Sequence, residues 1–139
     1  MPLPTLRPLL FAAFLALLPM PGDAAETNLP PGTRVLADIA YGNDGRQRFD
    51  VYLPPHPENA PVLFIVHGGG WRNGWKDHPG LIANKASHWI PKGYVIVSTG
   101  YRLLPEADPR MQADDVARAI ARAQRLAPAW GANPDRFIL

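Results

Sequence analysis

Cysteine does not occur among the 139 residues of this chain. Its absence excludes disulfide bonds, thiolate metal sites and attachment of a lipid to a cysteine. Any stability that the folded protein has must therefore come from its hydrophobic core and its hydrogen bonds.

An excess of one charge sign is also missing, since 14 lysines and arginines stand against 12 aspartates and glutamates, for a formal net charge of +2. The basic residues are scattered, and so small a surplus argues against nucleic acid or an acidic membrane surface as a partner. Arg118, Arg122 and Arg125 recur at helical spacing, which predicts a solvent-exposed helix face.

The chain has no apolar run long enough to cross a bilayer. Its most apolar stretch, residues 9–18, follows Arg7 and ends at Pro19. A run of this length cannot span roughly 30 Å of hydrocarbon. We therefore expect no stable membrane insertion.

The same stretch has the layout of a secretory signal peptide. A basic residue precedes the apolar run, and Gly22 and Ala24 supply small residues before a cleavage site. We interpret residues 1–24 as a signal peptide cleaved near Ala24, which predicts a periplasmic or secreted protein. Residues 25–33 then form a linker, and residues 34–139 remain for one folded domain.

The mature chain begins with a predicted hairpin. Two strand-like runs flank the turn-forming segment GNDG, which predicts antiparallel pairing over residues 34–53. In the second run, Phe49, Val51 and Leu53 alternate with Asp50 and Tyr52, which predicts a strand buried on one face only.

Apolar runs and helical patterns then alternate, as in a parallel α/β sheet. Strands buried on both faces are predicted at 62–66, 94–100 and from 137 onward, and helices at about 80–93 and 109–130, which Gly93 and Gly131 end. These patterns predict an α/β fold with a mostly parallel sheet and an antiparallel N-terminal hairpin.

The second predicted helix is amphipathic. Its apolar face is predicted to contain Ala113, Val116, Ala117, Ile120, Ala123 and Ala127. Asp114 and Asp115 are interpreted as carboxylates that the positive end of the helix dipole favours, with no catalytic role.

The segment VLFIVHGGGW, residues 62–71, places three consecutive glycines directly after a buried strand. Phosphate loops need the spacing GxGxxG or GxxxxGK[ST], which is absent here. An oxyanion hole instead needs free backbone N–H groups in an irregular loop at the carboxyl end of such a strand. The alternative is a glycine-rich turn without chemistry.

Several segments together resemble one known family. They are DVYLP (50–54), PVLFIVHGGGWRNG (61–74), KGYVIVSTGYRLLPEA (92–107), DDVARAI (114–120) and WGANPDRFIL (130–139). In this order and spacing they are similar to the N-terminal half of an α/β-hydrolase of the esterase/lipase type, close to the hormone-sensitive-lipase-like and feruloyl-esterase-like branches. One departure is Thr99–Gly100 before Tyr101, where many relatives read VNYRL.

The resemblance implies a serine hydrolase of small-molecule carboxylic esters that uses no cofactor. Gly69 and Gly70 would be the oxyanion donors, with Gly68 a further possibility. Such enzymes continue from a segment like NPDRFIL into G-x-S-x-G, followed later by an aspartate or glutamate and a histidine. The only serines, Ser87 and Ser98, lack the flanking glycines. We therefore expect the chain to be a fragment that ends before the nucleophile, lacks the triad and is inactive alone.

Other residues near the glycines receive smaller roles. His67 is expected to support the loop through the backbone, and Trp71 and Trp75 are candidates for substrate contact or for packing onto the loop. His78 and His88 are expected at the surface, and no metal site is predicted. Two alternatives to an esterase remain, namely a formamidase-type amide hydrolase and a non-catalytic fold remnant or binding module. The DNA sequence downstream of codon 139 would distinguish a non-catalytic remnant or binding module from an enzyme.

Overall fold

The computed structural model describes residues 28–139, so the predicted signal peptide lies outside the described residues. Five strands form one mixed sheet: β1 (Arg34–Ala40), β2 (Arg48–Leu53), β3 (Ala60–Val66), β4 (Val95–Thr99) and β5 (Ala132–Ile138). Their order across the sheet is β1-β2-β4-β3-β5. β3 runs parallel to both β4 and β5, whereas β2 is antiparallel to β1 and to β4. The predicted α/β sheet with an N-terminal hairpin is confirmed.

Two helices cover the sheet. α1 (Pro79–Trp89) continues into a short 3-10 turn that ends at Gly93, and α2 (Pro109–Leu126) continues into another that ends at Gly131. Both glycines have left-handed backbones, with φ of 81° and 74°, so they end the helices as predicted. Asp108 caps α2 by accepting a hydrogen bond from the Met111 amide at 2.9 Å.

Each face of the sheet carries its own apolar layer. The α1 layer consists of Tyr52, Ile65, Ile82, Ala86, Ile90 and Ile96. The larger α2 layer includes Phe49, Val51, Leu53, Val62, Phe64, Val95, Val97, Ala119, Ala123 and Trp130. β3 and β4 contribute to both layers, because the sheet is covered on both faces.

β5 begins earlier than the sequence indicates. Ala132 already pairs with Ala60, and the register then shifts before Phe137 pairs with Val62. The turn-like residues between them lie within the strand, where the Asn133 side chain donates a hydrogen bond to Asn59 Oδ1 at 2.9 Å. β5 thus lies beside β3, the strand that leads into the glycines.

β2 is buried on both faces, so the prediction of a half-buried strand is wrong. Asp50 and Tyr52 are 4 % and 5 % exposed. Tyr52 packs in the α1 layer, and Asp50 is covered by the ammonium group of Lys76. The alternation of polar and apolar residues misled the prediction because a buried carboxylate with a paired charge looks like an exposed one in the sequence.

The buried face of α2 is rotated from the predicted one. Ala113 and Ala117 are exposed, whereas Gln112 and Asp115 are buried together with Ala119 and Ala123. Asp115 lies beyond the first turn of α2, so the helix dipole does not explain it. Its carboxylate can be buried because Arg102 and Gln47 donate hydrogen bonds to it. Arg102 Nη2 and Gln47 Nε2 each lie 2.7 Å from Asp115 Oδ1.

Candidate active site

The glycine loop, residues 67–78, leaves the sheet at the carboxyl end of β3. Val66, the last residue of β3, lies opposite Thr99, the last residue of β4. Because the two strands are parallel, the β4–α2 loop, residues 100–108, leaves the sheet at the same edge. This edge is where open α/β sheets bind their ligands.

A tight backbone turn shapes the glycine loop. Gly69, Gly70, Trp71 and Gly74 have positive φ angles of 135°, 60°, 67° and 121°. The carbonyl of Gly69 accepts hydrogen bonds from the amides of Arg72 at 3.2 Å and Asn73 at 3.0 Å. The turn thus closes on the carbonyl of Gly69, and the amides of Gly69 and Gly70 take no part in this bonding.

Several amides of the turn are free, among them those of Gly69 and Gly70. Among residues 28–139, no acceptor bonds to the backbone N–H of Gly69 or Gly70. Both glycines are exposed. Successive free N–H groups in such a turn concentrate positive potential and bind anionic groups.

The glycines of the loop differ in the space around them. A Cβ at Gly69 would collide with the carbonyl oxygen of Asn73, and one at Gly74 would collide with the ring of His67 and approach the Gly68 carbonyl oxygen to 2.5 Å. A Cβ at Gly68 or Gly70 would meet nothing within 4 Å. Gly69 and Gly74 are therefore required for the loop to close, whereas open space lies beside Gly68 and Gly70.

His67 is buried beneath the loop, with 5 % of its surface exposed. Its Nδ1 lies 2.9 Å from the carbonyl oxygen of Gly68, which assigns the proton to Nδ1. Its ring stacks on Tyr101 with centroids 4.4 Å apart, and the Tyr101 hydroxyl donates to the His67 carbonyl at 2.6 Å. Burial lowers the pKa of His67, so the ring is neutral near pH 7.

The two serines do not join this arrangement. The Ser98 hydroxyl donates to the Lys76 carbonyl, and the Ser87 hydroxyl donates to the Asn84 carbonyl on α1. His67 Nε2 has no partner among the described residues. Within residues 28–139, no serine and histidine form a nucleophile and base pair.

The two tryptophans face different surroundings. Trp71 and Trp75 are 54 % and 58 % exposed. Trp71 lines a groove of about 420 Å³ with Phe64, Val66 and Tyr101, among others. Trp75 instead lies under the guanidinium group of Arg46, 4.6 Å from the ring centroid. The structure therefore does not bring the two predicted substrate contacts into one pocket.

Lys76 ties the glycine loop to the N-terminal hairpin. Its Nζ lies 2.8 and 2.9 Å from the two carboxylate oxygens of Asp50 and 3.0 Å from Asp38. Burial alone would lower the pKa of Lys76, but the hydrogen bonds to Asp50 and Asp38 outweigh it and raise the pKa. Lys76 therefore stays charged, and its pairing removes the cost of burying Asp50.

A second ion pair holds the β4–α2 loop and was not predicted. Arg102 contacts both oxygens of Asp115, through Nε at 2.8 Å and Nη2 at 2.7 Å, and the Arg102 amide adds a third bond. The Gln47 side chain donates to the same carboxylate. Burial alone would raise the pKa of Asp115. The hydrogen bonds lower it by more than burial raises it, so the pKa lies below its ordinary value.

His78 and His88 lie at the surface, as predicted. His78 precedes α1 and accepts a hydrogen bond from the Leu81 amide at 3.4 Å, and His88 packs edge-on against Trp89. Among the residues that the structure describes, no three or more side chains of the types that bind metals converge. In the same part of the chain, no helix has both the length and the apolar character of a membrane span.

Comparison with known proteins identifies the family. The BD-FAE family model matches residues 49–139. The chain belongs to the BD-FAE family. This BD-FAE chain is 33% identical over 89 residues to a kynurenine formamidase from Danio rerio, a match that covers 63% of the chain and 29% of the relative. It is also 33% identical over 105 residues to the probable carboxylic ester hydrolase LipM from Mycobacterium tuberculosis, a match that covers 70% of the chain and 23% of the relative.

Solved structures agree on the fold. An inhibited esterase B from Lactobacillus rhamnosis superimposes on the BD-FAE chain with a TM-score of 0.68 at 27% identity, covering 81% of this chain and 37% of that one. The α/β-hydrolase fold of the esterase type, which the sequence motifs indicate, is confirmed. The chain spans less than a third of the length of the two curated relatives, at 29% and 23%.

Proposed function

We propose that this chain is part of a serine hydrolase of carboxylic esters and that the glycine loop is its oxyanion hole. The observation that carries the proposal is the pair of free amides at Gly69 and Gly70, at the carboxyl end of a buried parallel strand. In ester hydrolysis the carbonyl oxygen becomes negative in the tetrahedral intermediate, and fixed N–H dipoles stabilise that charge. One such donor lowers the activation free energy by about 3 kcal/mol.

The register of β5 supports a nucleophile just beyond Leu139. Ile138 lies opposite Leu63, and three further residues of β3 lead to Val66. A chain that continued in this register would reach the level of the glycine loop after the same number of residues. A serine in the turn that follows would lie beside Gly69 and Gly70. On this proposal, residues 1–139 alone are inactive.

The first experiment determines the sequence downstream of codon 139 and expresses the complete reading frame. We expect a G-x-S-x-G motif within about ten residues. The whole protein should hydrolyse p-nitrophenyl acetate, and a fluorophosphonate should label the motif serine, with the serine-to-alanine variant as the control. A stop codon at position 140 with intact flanking sequence would favour a non-catalytic remnant instead.

The second experiment tests the donors directly. In a crystal structure of the whole protein with a phosphonate on the serine, the phosphoryl oxygen should lie about 2.7–3.1 Å from the amide nitrogens of Gly69 and Gly70. Gly70→Pro removes one donor and should lower kcat by roughly 10²–10³ with little change in KM. Proline cannot adopt the φ of 60° at this position. The variant Gly70→Ala keeps the N–H and is therefore the matched control. An oxygen held by other groups would refute the assignment.

Trp71 is the better candidate of the two tryptophans for substrate contact. It follows Gly70 directly and lines the groove beside the loop, whereas the Arg46 guanidinium covers the Trp75 ring. Trp71→Ala should raise KM for aryl esters several-fold, and Trp75→Ala is the matched control. Equal effects of the two variants would show that Trp71 has no special contact with the substrate.

Amide hydrolysis of the formamidase type is the second candidate function. It is favoured by the 33% identity to a kynurenine formamidase. The whole protein should be assayed on N-formylkynurenine and on p-nitrophenyl esters of short acids under the same conditions. We expect kcat/KM to be higher for the esters, and the reverse order would establish the amide hydrolase.

We also propose that the protein is exported. The basic residue, apolar run and small residues within positions 1–24 support a signal peptide. N-terminal sequencing of the protein from the periplasm or culture medium should begin at Ala25. An intact N-terminus in the cytoplasmic fraction would refute export.

A further inference from the structure

The carbonyl of Trp71 accepts two hydrogen bonds from the neighbouring part of the fold. The Leu104 amide donates at 2.9 Å, and the Gln112 side chain donates through Nε2 at 3.1 Å. Trp71 has a φ of 67°. A bulky residue in this left-handed conformation is strained and persists only where its surroundings hold it.

Gln112 is placed to supply that restraint. It lies in the first turn of α2 and is 1 % exposed. Its Nε2 also donates to the Ala107 carbonyl at 2.9 Å, so both amide protons are used. Buried N–H groups are costly unless they are bonded, and here the two bonds of Nε2 join the helix to two loops, while Oε1 has no partner among the described residues.

We propose that Gln112 is a positioning residue for the oxyanion hole. This inference rests on the proposed function of the glycine loop. By holding the Trp71 carbonyl, Gln112 fixes the peptide plane that follows Trp71 and keeps Trp71 left-handed. The orientation of the preceding amides, those of Gly69 and Gly70, depends on the same backbone, since the three residues form one continuous turn.

The helix gives this restraint its rigidity. Leu104, the other donor, belongs to a loop, whereas Gln112 belongs to an 18-residue helix packed on the sheet. Oxyanion donors act because they are fixed before the reaction, and a displacement near 1 Å can cost about 10² in rate. Loss of Gln112 therefore reduces the stabilisation of the transition state without removing any group that touches the substrate.

The test uses Gln112→Met in the whole protein, because methionine has a similar length and donates no hydrogen bond. We expect kcat to fall about tenfold and KM to stay within about twofold, since the ground state does not use the oxyanion donors. The Ki of benzeneboronic acid, which forms a tetrahedral anion on the serine, should rise by about the same factor as kcat falls.

Ile120→Ala is the matched control. Ile120 lies on the same helix, is half-buried and packs against the α2 layer. Its truncation should lower the thermal stability but leave kcat and the boronic acid Ki within about twofold. A loss of kcat in Gln112→Met no larger than in Ile120→Ala would overturn the proposal, as would a rise in KM with kcat unchanged.

Two further outcomes are decisive. If Gln112→Met does not fold, Gln112→Leu must show the same loss of kcat at constant KM, and failure of both to fold would overturn a positioning role. If the parent protein does not hydrolyse esters, or Gly70→Pro leaves kcat unchanged, the proposed function fails and this inference fails with it. If the parent hydrolyses esters and Gly70→Pro loses kcat, but Gln112→Met loses no more kcat than Ile120→Ala, the proposed function stands and only this inference fails.

Discussion

The glycine loop and the β4–α2 loop leave neighbouring parallel strands at the same edge, but different interactions hold them. The glycine loop turns through backbone hydrogen bonds to Gly69 and has exposed residues at positions 68–73. The β4–α2 loop buries Tyr101 and Leu103 and attaches Arg102 to the fully buried Asp115. The β4–α2 loop is thus fixed by buried side chains, which residues 68–73 of the glycine loop lack.

The difference shows where the rigidity of the site originates. A loop that presents free N–H groups to a ligand cannot also bury those groups in its own contacts. The β4–α2 loop supplies part of the restraint, through the Leu104 amide on the Trp71 carbonyl and the stacking of Tyr101 on His67, and Gln112 of α2 adds a second bond to that carbonyl. The proposed oxyanion donors therefore depend on a loop that contains none of them.

The largest effect is expected from Asp115→Ala, which removes the anchor of the β4–α2 loop. The substitution leaves the buried Gln47 side chain and the Arg102 amide without their acceptor, so the free energy of unfolding should fall by about 3 kcal/mol. Asp114→Ala is the matched control, because Asp114 is its exposed neighbour on α2. Urea unfolding of the whole protein measures both variants. Equal losses would show that the ion pair does not hold the loop.

The same pair predicts a dependence on acid. Because the folded-state pKa of Asp115 lies below its ordinary value, the stabilisation is complete above an unfolded-state pKa of about 4. It is lost as the pH falls through the folded-state pKa. The difference in stability between the parent and Asp115→Ala should therefore shrink in acid and stay constant between about pH 6 and pH 8.

Gly74→Ala should have the next largest effect, because it disturbs the glycine loop itself. The added Cβ collides with the His67 ring, and the φ of 121° is accessible almost only to glycine. We expect a loss of about 2–3 kcal/mol in stability and a large fall in kcat. Thermal unfolding and turnover of p-nitrophenyl acetate measure the two effects. Parent-like values would show that the loop is more adaptable than its packing indicates.

Gly70→Ala should cost less than Gly74→Ala. Its Cβ would enter open space, so only the left-handed φ of 60° is unfavourable, at about 1 kcal/mol. The variant keeps the N–H, and kcat should fall by no more than about tenfold. A fall as large as that of Gly70→Pro would mean that backbone distortion, rather than the donor, explains the proline variant.

The comparison also separates what the sequence predicts from what it does not. Three consecutive glycines after a buried strand indicate a backbone conformation, and a short window of residues records that requirement. Arg102 and Asp115 are 13 residues apart, and nothing in their spacing shows that they form a buried pair. The rotated face of α2 is missed for the same reason. Asp115 and Gln112 are buried because each has its own partners elsewhere, and a hydrophobic pattern does not show those partners.

The smallest effect is expected from Gly68→Ala. Gly68 has no atom within 4 Å of an added Cβ, and its φ lies outside the left-handed range. Stability should therefore change by no more than about 0.5 kcal/mol, since nothing is displaced and no strained backbone is required. Turnover separates two explanations for a glycine at a position that the fold leaves open. Unchanged kcat and KM would mean that neither loop needs Gly68. A large rise in KM at parent-like stability would mean that the open space beside Gly68 belongs to the substrate, because the added methyl group meets no protein atom there.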